Sequence, residues 1–122
     1  MSGLYLMESG KEFATVEKMD QAYFKKHGHY EFLSGEELLL RRKKEEEPVI
    51  EVDYTGMGWM LIKKDVIEQL KYPWFYHDLF LENDFVEMYS EDVSFCRNLK
   101  KAGFDIYVDL DIRVGHYKSF II

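Results

Sequence analysis

The segment SEDVSFCRNLKKAGFDIYVD, Ser90 to Asp109, decides the fold. Ser90 suits a helix N-cap, because its hydroxyl can accept from one of the N–H groups left without partners in the first turn. Phe95, Cys96, Leu99 and Ala102 then recur at helical spacing and form one apolar stripe. Gly103 tolerates the left-handed backbone that closes a helix. Immediately afterwards the period changes to two. Phe104, Ile106 and Val108 share one face, and Asp105, Tyr107 and Asp109 share the other. A one-striped helix followed by a one-faced strand must bury both apolar surfaces in a common core, which predicts a layered α/β domain.

Working outward, PVIEVDYTG alternates Ile50, Val52 and Tyr54 against Glu51 and Asp53 and predicts a second strand with one buried face. WMLIKK, from Trp59, is a short apolar run that predicts a buried strand. DVIEQLK predicts a helix capped by Asp65 and Glu68 and ended by Tyr72-Pro73. GLYLMESGKEFATV predicts a hairpin about Ser9-Gly10. EKMDQAYFKKHG predicts a helix stopping at Gly28, and Ser34 with Glu37 predicts a capped helix through EELLLRR. YPWFYHDLFLENDFVEMY is aromatic, acidic and poorly periodic, and predicts a long loop of the kind that often carries function. The expected product is a single domain over residues 1–122, with a mixed β-sheet and flanking helices.

Composition narrows the function. With 47% hydrophobic and 32% charged residues the chain reads as globular, and a formal charge of −7 argues against duplex nucleic acid and anionic lipid as partners. The basic run Arg41 to Lys44 meets Glu45 to Glu47 directly, as a solvated, self-neutralising segment does. Cys96 is the only cysteine, which fits a reducing compartment. No apolar run reaches the roughly 20 residues that span a bilayer, and the start lacks the pattern of a signal peptide. The expected location is cytoplasmic.

Four stretches carry residues with chemical potential. Glu91 and Asp92 open the Ser90 helix, either as simple capping charges or as carboxylates facing a cleft, where one would serve as general base. Gly56 and Gly58, in GMGW with Trp59, permit either a bulge or close approach of a ligand to the backbone. It is not a dinucleotide fingerprint. Trp74 and Phe75, in YPWF, form either core or a stacking platform for a sugar ring. In VDLDIRVGH, Asp109 and Asp111 fall on one side of a strand with His116 beyond, a set that would suit Mn²⁺ or Mg²⁺ or else is turn and surface chemistry. His29, His77 and Cys96 lack partners at metal-ligand spacing, and Cys96 on the apolar stripe reads as a buried inert thiol.

Taken in order, SGLYLM, VDYTGMGWMLIKKDVIEQLKYPWF, SEDVSFCRNLKKAGFDIYVD and VGH resemble the C-terminal half of GT-A fold, family-two-like glycosyltransferases, over Ser2 to about Lys118. The resemblance implies a partial GT-A-like α/β domain and a nucleotide-diphospho-sugar transferase, which passes a sugar to an acceptor hydroxyl. It implies Asp92 as base with Glu91 beside it, Gly56 to Gly58 and Trp59 at the sugar and acceptor, and Trp74 and Phe75 at the acceptor cleft. It also implies His116 as a late ligand of Mn²⁺ or Mg²⁺ in the complete enzyme, and allows that this chain alone holds no metal. In that family the nucleotide-binding half and its D-x-D motif precede the segment like SGLYLM. The chain is therefore expected to be a fragment or free-standing half, inactive alone, and Asp109-Leu110-Asp111 is not the family's D-x-D. A half-sheet exposes apolar surface, so a homo-oligomer or docking onto the missing half is expected. Two other functions fit the residues. One is a non-catalytic carbohydrate- or protein-binding module built on the Tyr72–Tyr76 aromatic loop. The other is a metal-dependent hydrolase using Asp109, Asp111 and His116.

Overall fold

The structure is a computed structural model, described here for residues 1–4, 6–7, 11–44, 48–82 and 85–115. Its elements run β1 (Ser2–Leu4), β2 (Thr15–Val16), α1 (Gln21–His27), α2 (Gly35–Lys44), β3 (Val49–Val52), β4 (Tyr54–Thr55), α3 (Lys64–Gln69), β5 (Leu79–Glu82), β6 (Phe85–Met88), α4 (Glu91–Lys101) and β7 (Ile106–Arg113). The architecture is mixed α/β. β7 is the middle strand of a three-stranded sheet, parallel to β1 and antiparallel to β3. Two further antiparallel pairs, β2–β4 and β5–β6, stand beside it.

α4 and β7 form as their periodicities predict. The Ser90 hydroxyl accepts from the Val93 N–H, and Gly103 adopts φ +90° after the helix. Ser94, Phe95, Cys96 and Leu99 are buried on α4, and Ile106, Val108 and Leu110 are buried on β7. The ladder sets Ile50 opposite Val108 and Val52 opposite Ile106, so paired apolar side chains share the core face. Phe95 and Cys96 are wholly buried. Truncating a ring placed like Phe95 costs about 3–5 kcal/mol through lost transfer energy and the cavity left behind.

α1 is capped by Asp20, whose carboxylate accepts from the Ala22 and Tyr23 N–H groups, and it ends at Gly28 with φ +78°. Phe24 is its buried anchor. Ser34 caps α2 by accepting from the Glu37 N–H at 3.2 Å.

Four predicted elements differ. WMLIKK is not a strand: Met60 makes a single antiparallel bridge to Ser2, and Leu61 is largely exposed. α3 begins after Lys63 with no side-chain cap. The stretch predicted as one long loop contains the β5–β6 hairpin, paired Leu79 to Met88 and Leu81 to Val86. The predicted N-terminal hairpin keeps only the Leu6–Phe13 bridge, because β1 and β2 are drawn into different sheets. Its turn, Ser9-Gly10, lies outside the described residues.

Two buried hydroxyls, those of Ser2 and Thr55, are paired in the core. The Ser2 hydroxyl donates to the Trp59 carbonyl at 2.7 Å and accepts from the Thr55 hydroxyl at 3.3 Å, which ties β1 to β4. Gly3 is required by close approach: a Cβ there would lie 2.6 Å from Ile112 Cγ2 and 3.1 Å from the Ile112 carbonyl oxygen. Gly3→Ala is therefore expected to cost about 1–3 kcal/mol through overpacking between β1 and β7. Urea unfolding should show a lower midpoint with an unchanged slope.

Candidate functional site

The site is built where the start of α4 meets the turn after β4. α4 packs on β4 through Cys96, whose Sγ reaches the Thr55 carbonyl at 3.5 Å. Burial pushes the Cys96 thiol up to about 12, so it is an inert core group. One turn earlier on the same side of the helix, the Asp92 carboxylate accepts a hydrogen bond from the Met57 backbone. Met57 is the middle residue of Gly56-Met57-Gly58. Gly56 itself is buried, and its N–H donates to the Ala14 carbonyl at 2.8 Å. Sequence-predicted Asp92, Gly56 and Gly58 are thus brought together, and Trp59 follows directly, partly exposed, with its carbonyl held by Ser2.

The carboxyl of Asp92 is raised above its ordinary value of 3.8. Burial is the main cause. The Met57 hydrogen bond opposes it, and the neighbouring charge of Glu91 adds to it. Glu91 is turned elsewhere. Its carboxylate lies 3.4 Å from His77 Nε2, and His77 Nδ1 lies 2.8 Å from the Tyr89 carbonyl. With an acceptor at each nitrogen, the ring can donate to both only as the imidazolium. The two adjacent carboxylates therefore have different surroundings: Asp92 is half-buried against backbone, and Glu91 is engaged with an imidazole.

The aromatic loop lies along α4. Phe75 stacks on Phe95 with ring centroids 4.6 Å apart, and Tyr76 accepts from Asn98 at 2.9 Å. The Asp78 N–H donates to Ser94 at 3.0 Å. Phe75 is consequently tied to the core one turn from Asp92. Trp74 is not at that end. It lines a cleft of about 650 Å³ with Tyr72, Tyr76, Asn98 and Lys101. Asn98 and Lys101 lie roughly 9 and 14 Å further along the axis than Asp92, at about 1.5 Å per residue. Asp92 does not line this cleft.

The D-x-D stretch is structural. Asp109 and Asp111 lie within β7 rather than in a turn after it. Arg42 grips Asp111 through two hydrogen bonds of 2.8 and 3.1 Å, and the Asp109 carboxylate accepts from the Asp111 N–H at 2.9 Å. The Arg42 guanidinium holds the Asp111 carboxyl below its usual range. His116 lies outside the described residues. Among the described residues no group of three or more His, Cys, Asp or Glu is placed to hold a metal ion. No helix among them is long and apolar enough to cross a membrane.

His77 and the Gln21–Tyr30–Tyr89 ring of hydrogen bonds were not legible from motifs. Tyr30 donates to Tyr89 at 3.0 Å, Tyr89 to Gln21 at 3.1 Å, and Gln21 back to Tyr30 at 2.9 Å. Arg97 sits over the Tyr89 ring, 4.3 Å from its centroid. Comparison with protein-family models, curated proteins and solved structures finds no match.

The Asp92 shift has a signed consequence. Because the folded value lies above the unfolded one, the carboxyl's contribution to stability is full below pH 3.8 and is lost as pH rises through the folded value. Asn at this position still accepts from Met57 but carries no charge. Asp92→Asn should therefore melt above the wild type at neutral pH, and the gap should close as pH falls to the ordinary aspartate value. Thermal melts across that range test it, and an unchanged gap would refute the assignment of the shift to Asp92.

Proposed function

We propose that this chain forms the acceptor side of a GT-A-type glycosyl transfer site, with Asp92 as the general base. The observation that carries the reading is the half-buried Asp92 carboxylate, held at the start of α4 against the Gly56–Gly58 backbone. Its raised affinity for a proton suits a group that must take one from a sugar hydroxyl, since a base works best when its pKa approaches the working pH. Gly58 is exposed and, lacking a side chain, lets a substrate approach main chain. The motif order from SGLYLM to VGH supports the same assignment.

In this reading the acceptor O–H donates its proton to Asp92 as oxygen attacks the anomeric carbon. The bond from that carbon to the nucleoside diphosphate breaks, and the diphosphate leaves on the opposite face. Asp92 supplies proton removal and alignment. Glu91, tied to His77, positions the helix start and adds negative charge beside the base. In this reading a donor-binding half supplies the nucleotide-sugar. In the same reading a divalent metal would neutralise the leaving diphosphate, with His116 as one of its ligands.

Two outcomes test the proposal. With the donor-binding half supplied, in its natural polypeptide or as a separate chain, UDP- or GDP-sugar should be turned over in the presence of Mn²⁺. Asp92→Asn should lower the rate about 10²–10⁴-fold while leaving donor binding intact. Turnover that survives Asp92→Asn would remove the base assignment. The reading also expects association, since the β5–β6 hairpin exposes Leu79, Leu81, Val86 and Met88. Sedimentation at micromolar concentration should show a dimer or larger species, and Leu81→Lys should shift it toward monomer. A wild-type monomer would end that expectation.

A further inference from the structure

We infer that the cleft at the far end of α4 is a second, non-catalytic site that binds an acidic saccharide, one carrying a carboxylate or phosphate. Its volume, about 650 Å³, lies within the roughly 300–1,000 Å³ of small-molecule sites. The walls come from the turn after α3 and the last turns of α4.

Three features select the ligand class. First, Tyr72 and Trp74 meet edge to face, with centroids 5.3 Å apart and ring planes at 89°. Two perpendicular rings present a corner in which the apolar face of a sugar can pack against one ring and its edge against the other. Tyr72 is 74% exposed, although it belongs to a residue type that normally seeks burial. Second, the hydrogen-bonding groups are neutral and already oriented. The Asn98 amide and Tyr76 hydroxyl hold each other at 2.9 Å and retain capacity for a further hydroxyl. The Trp74 indole nitrogen is buried without an acceptor among the described residues, so Trp74 offers the cleft its ring and not its N–H. A purely apolar ligand would leave the Asn98 and Tyr76 groups unsatisfied.

Third, the charge is inverted relative to the rest of the chain. The protein carries 23 acidic and 16 basic residues, yet the cleft lining includes Lys71 and Lys101 and no carboxylate. Neither lysine forms an ion pair among the described residues, whereas Lys100, next along the helix, is shared by Glu51, Asp53 and Asp105. Lys71 and Lys101 are exposed and can reach an anionic substituent while their stems stay along the wall.

The site is independent of the transfer chemistry, and the experiment keeps the two apart. The Trp59→Phe chain leaves Trp74 as the sole tryptophan. Its fluorescence is titrated with glucuronic acid, glucose 6-phosphate and glucose at low salt. A saturable change with either acidic sugar, tighter than with glucose and weakened by salt, is expected. Adding Lys71→Gln with Lys101→Gln should weaken the acidic sugars about 2- to 5-fold, as for exposed charge contacts. Calorimetry on Trp74→Phe, a variant that keeps a ring in the loop, should show about 2- to 12-fold weaker binding from the smaller ring face. Asp92→Asn should bind as the parent does. No saturable change with any of the three sugars would overturn the proposal. Binding that ignores the lysines would overturn it too, as would binding lost in Asp92→Asn, which would place the sugar at the other end of the helix.

Discussion

The structure depends on burying one stripe of α4. Ser94, Phe95, Cys96 and Leu99 have almost no exposed surface, and they are covered from separate directions. Thr55 of β4 meets Cys96, the ring of Phe75 covers Phe95, and Asp78 meets Ser94. A helix gripped at three successive residues by separate segments cannot rotate without breaking several contacts together. Its first turn is therefore placed by packing rather than by its own polar groups. The position of Asp92 against Met57 follows from hydrophobic burial one and two turns away.

Electrostatics then distinguishes the members of this array. Lys100, on the exposed side of α4, is surrounded by Glu51, Asp53 and Asp105, and its hydrogen bond to Glu51 raises its proton affinity. These contacts join α4 to β3 and to the start of β7. They are exposed and contribute little stability each, but they absorb carboxylates that would otherwise repel. Asp53 is used twice, since its other oxygen accepts from the Met19 N–H at 2.8 Å ahead of α1. Asp109 and Asp111 are likewise consumed, by backbone and by Arg42. Among the carboxylates discussed, Asp92 is the one whose proton affinity is raised by burial. That is why the acid pair of VDLDIRVGH, conspicuous in the sequence, carries less chemical weight than the aspartate that opens α4.

The legible parts of the fold are those in which local signals agree. Ser90, the stripe from Phe95 to Leu99 and Gly103 all specify one helix, and the alternation through Ile106 and Val108 specifies one strand. The illegible parts depend on distant partners. Trp59 to Ile62 is apolar, yet only Met60 finds a bridge, because β1, the edge strand it meets, is three residues long. The β5–β6 hairpin was hidden by acidic residues in its strands and by a turn without a glycine. In the candidate site, Asp92 and the glycines were readable because cap position and glycine spacing are local properties. His77 was not, since its partners are the Tyr89 carbonyl and Glu91, 12 and 14 residues away.

The same helix separates two kinds of surface. At its start the macrodipole is positive and the side chains are Glu91 and Asp92. At its end the dipole is negative and the side chains are Lys100 and Lys101. Each end is stabilised by its own charges, so neither needs the other to exist. The aromatic loop couples them mechanically, because Phe75 is fixed near the first turns while Trp74 and Tyr72, immediately before it, reach the last. A ligand in the Trp74 cleft would therefore act on the Asp92 end only through the Phe75–Phe95 stack, by changing how firmly that ring is seated. Since Phe95 is fully buried and has little room to move, such an effect would be small. The two surfaces are better described as separate ends of one rigid helix than as an allosteric pair.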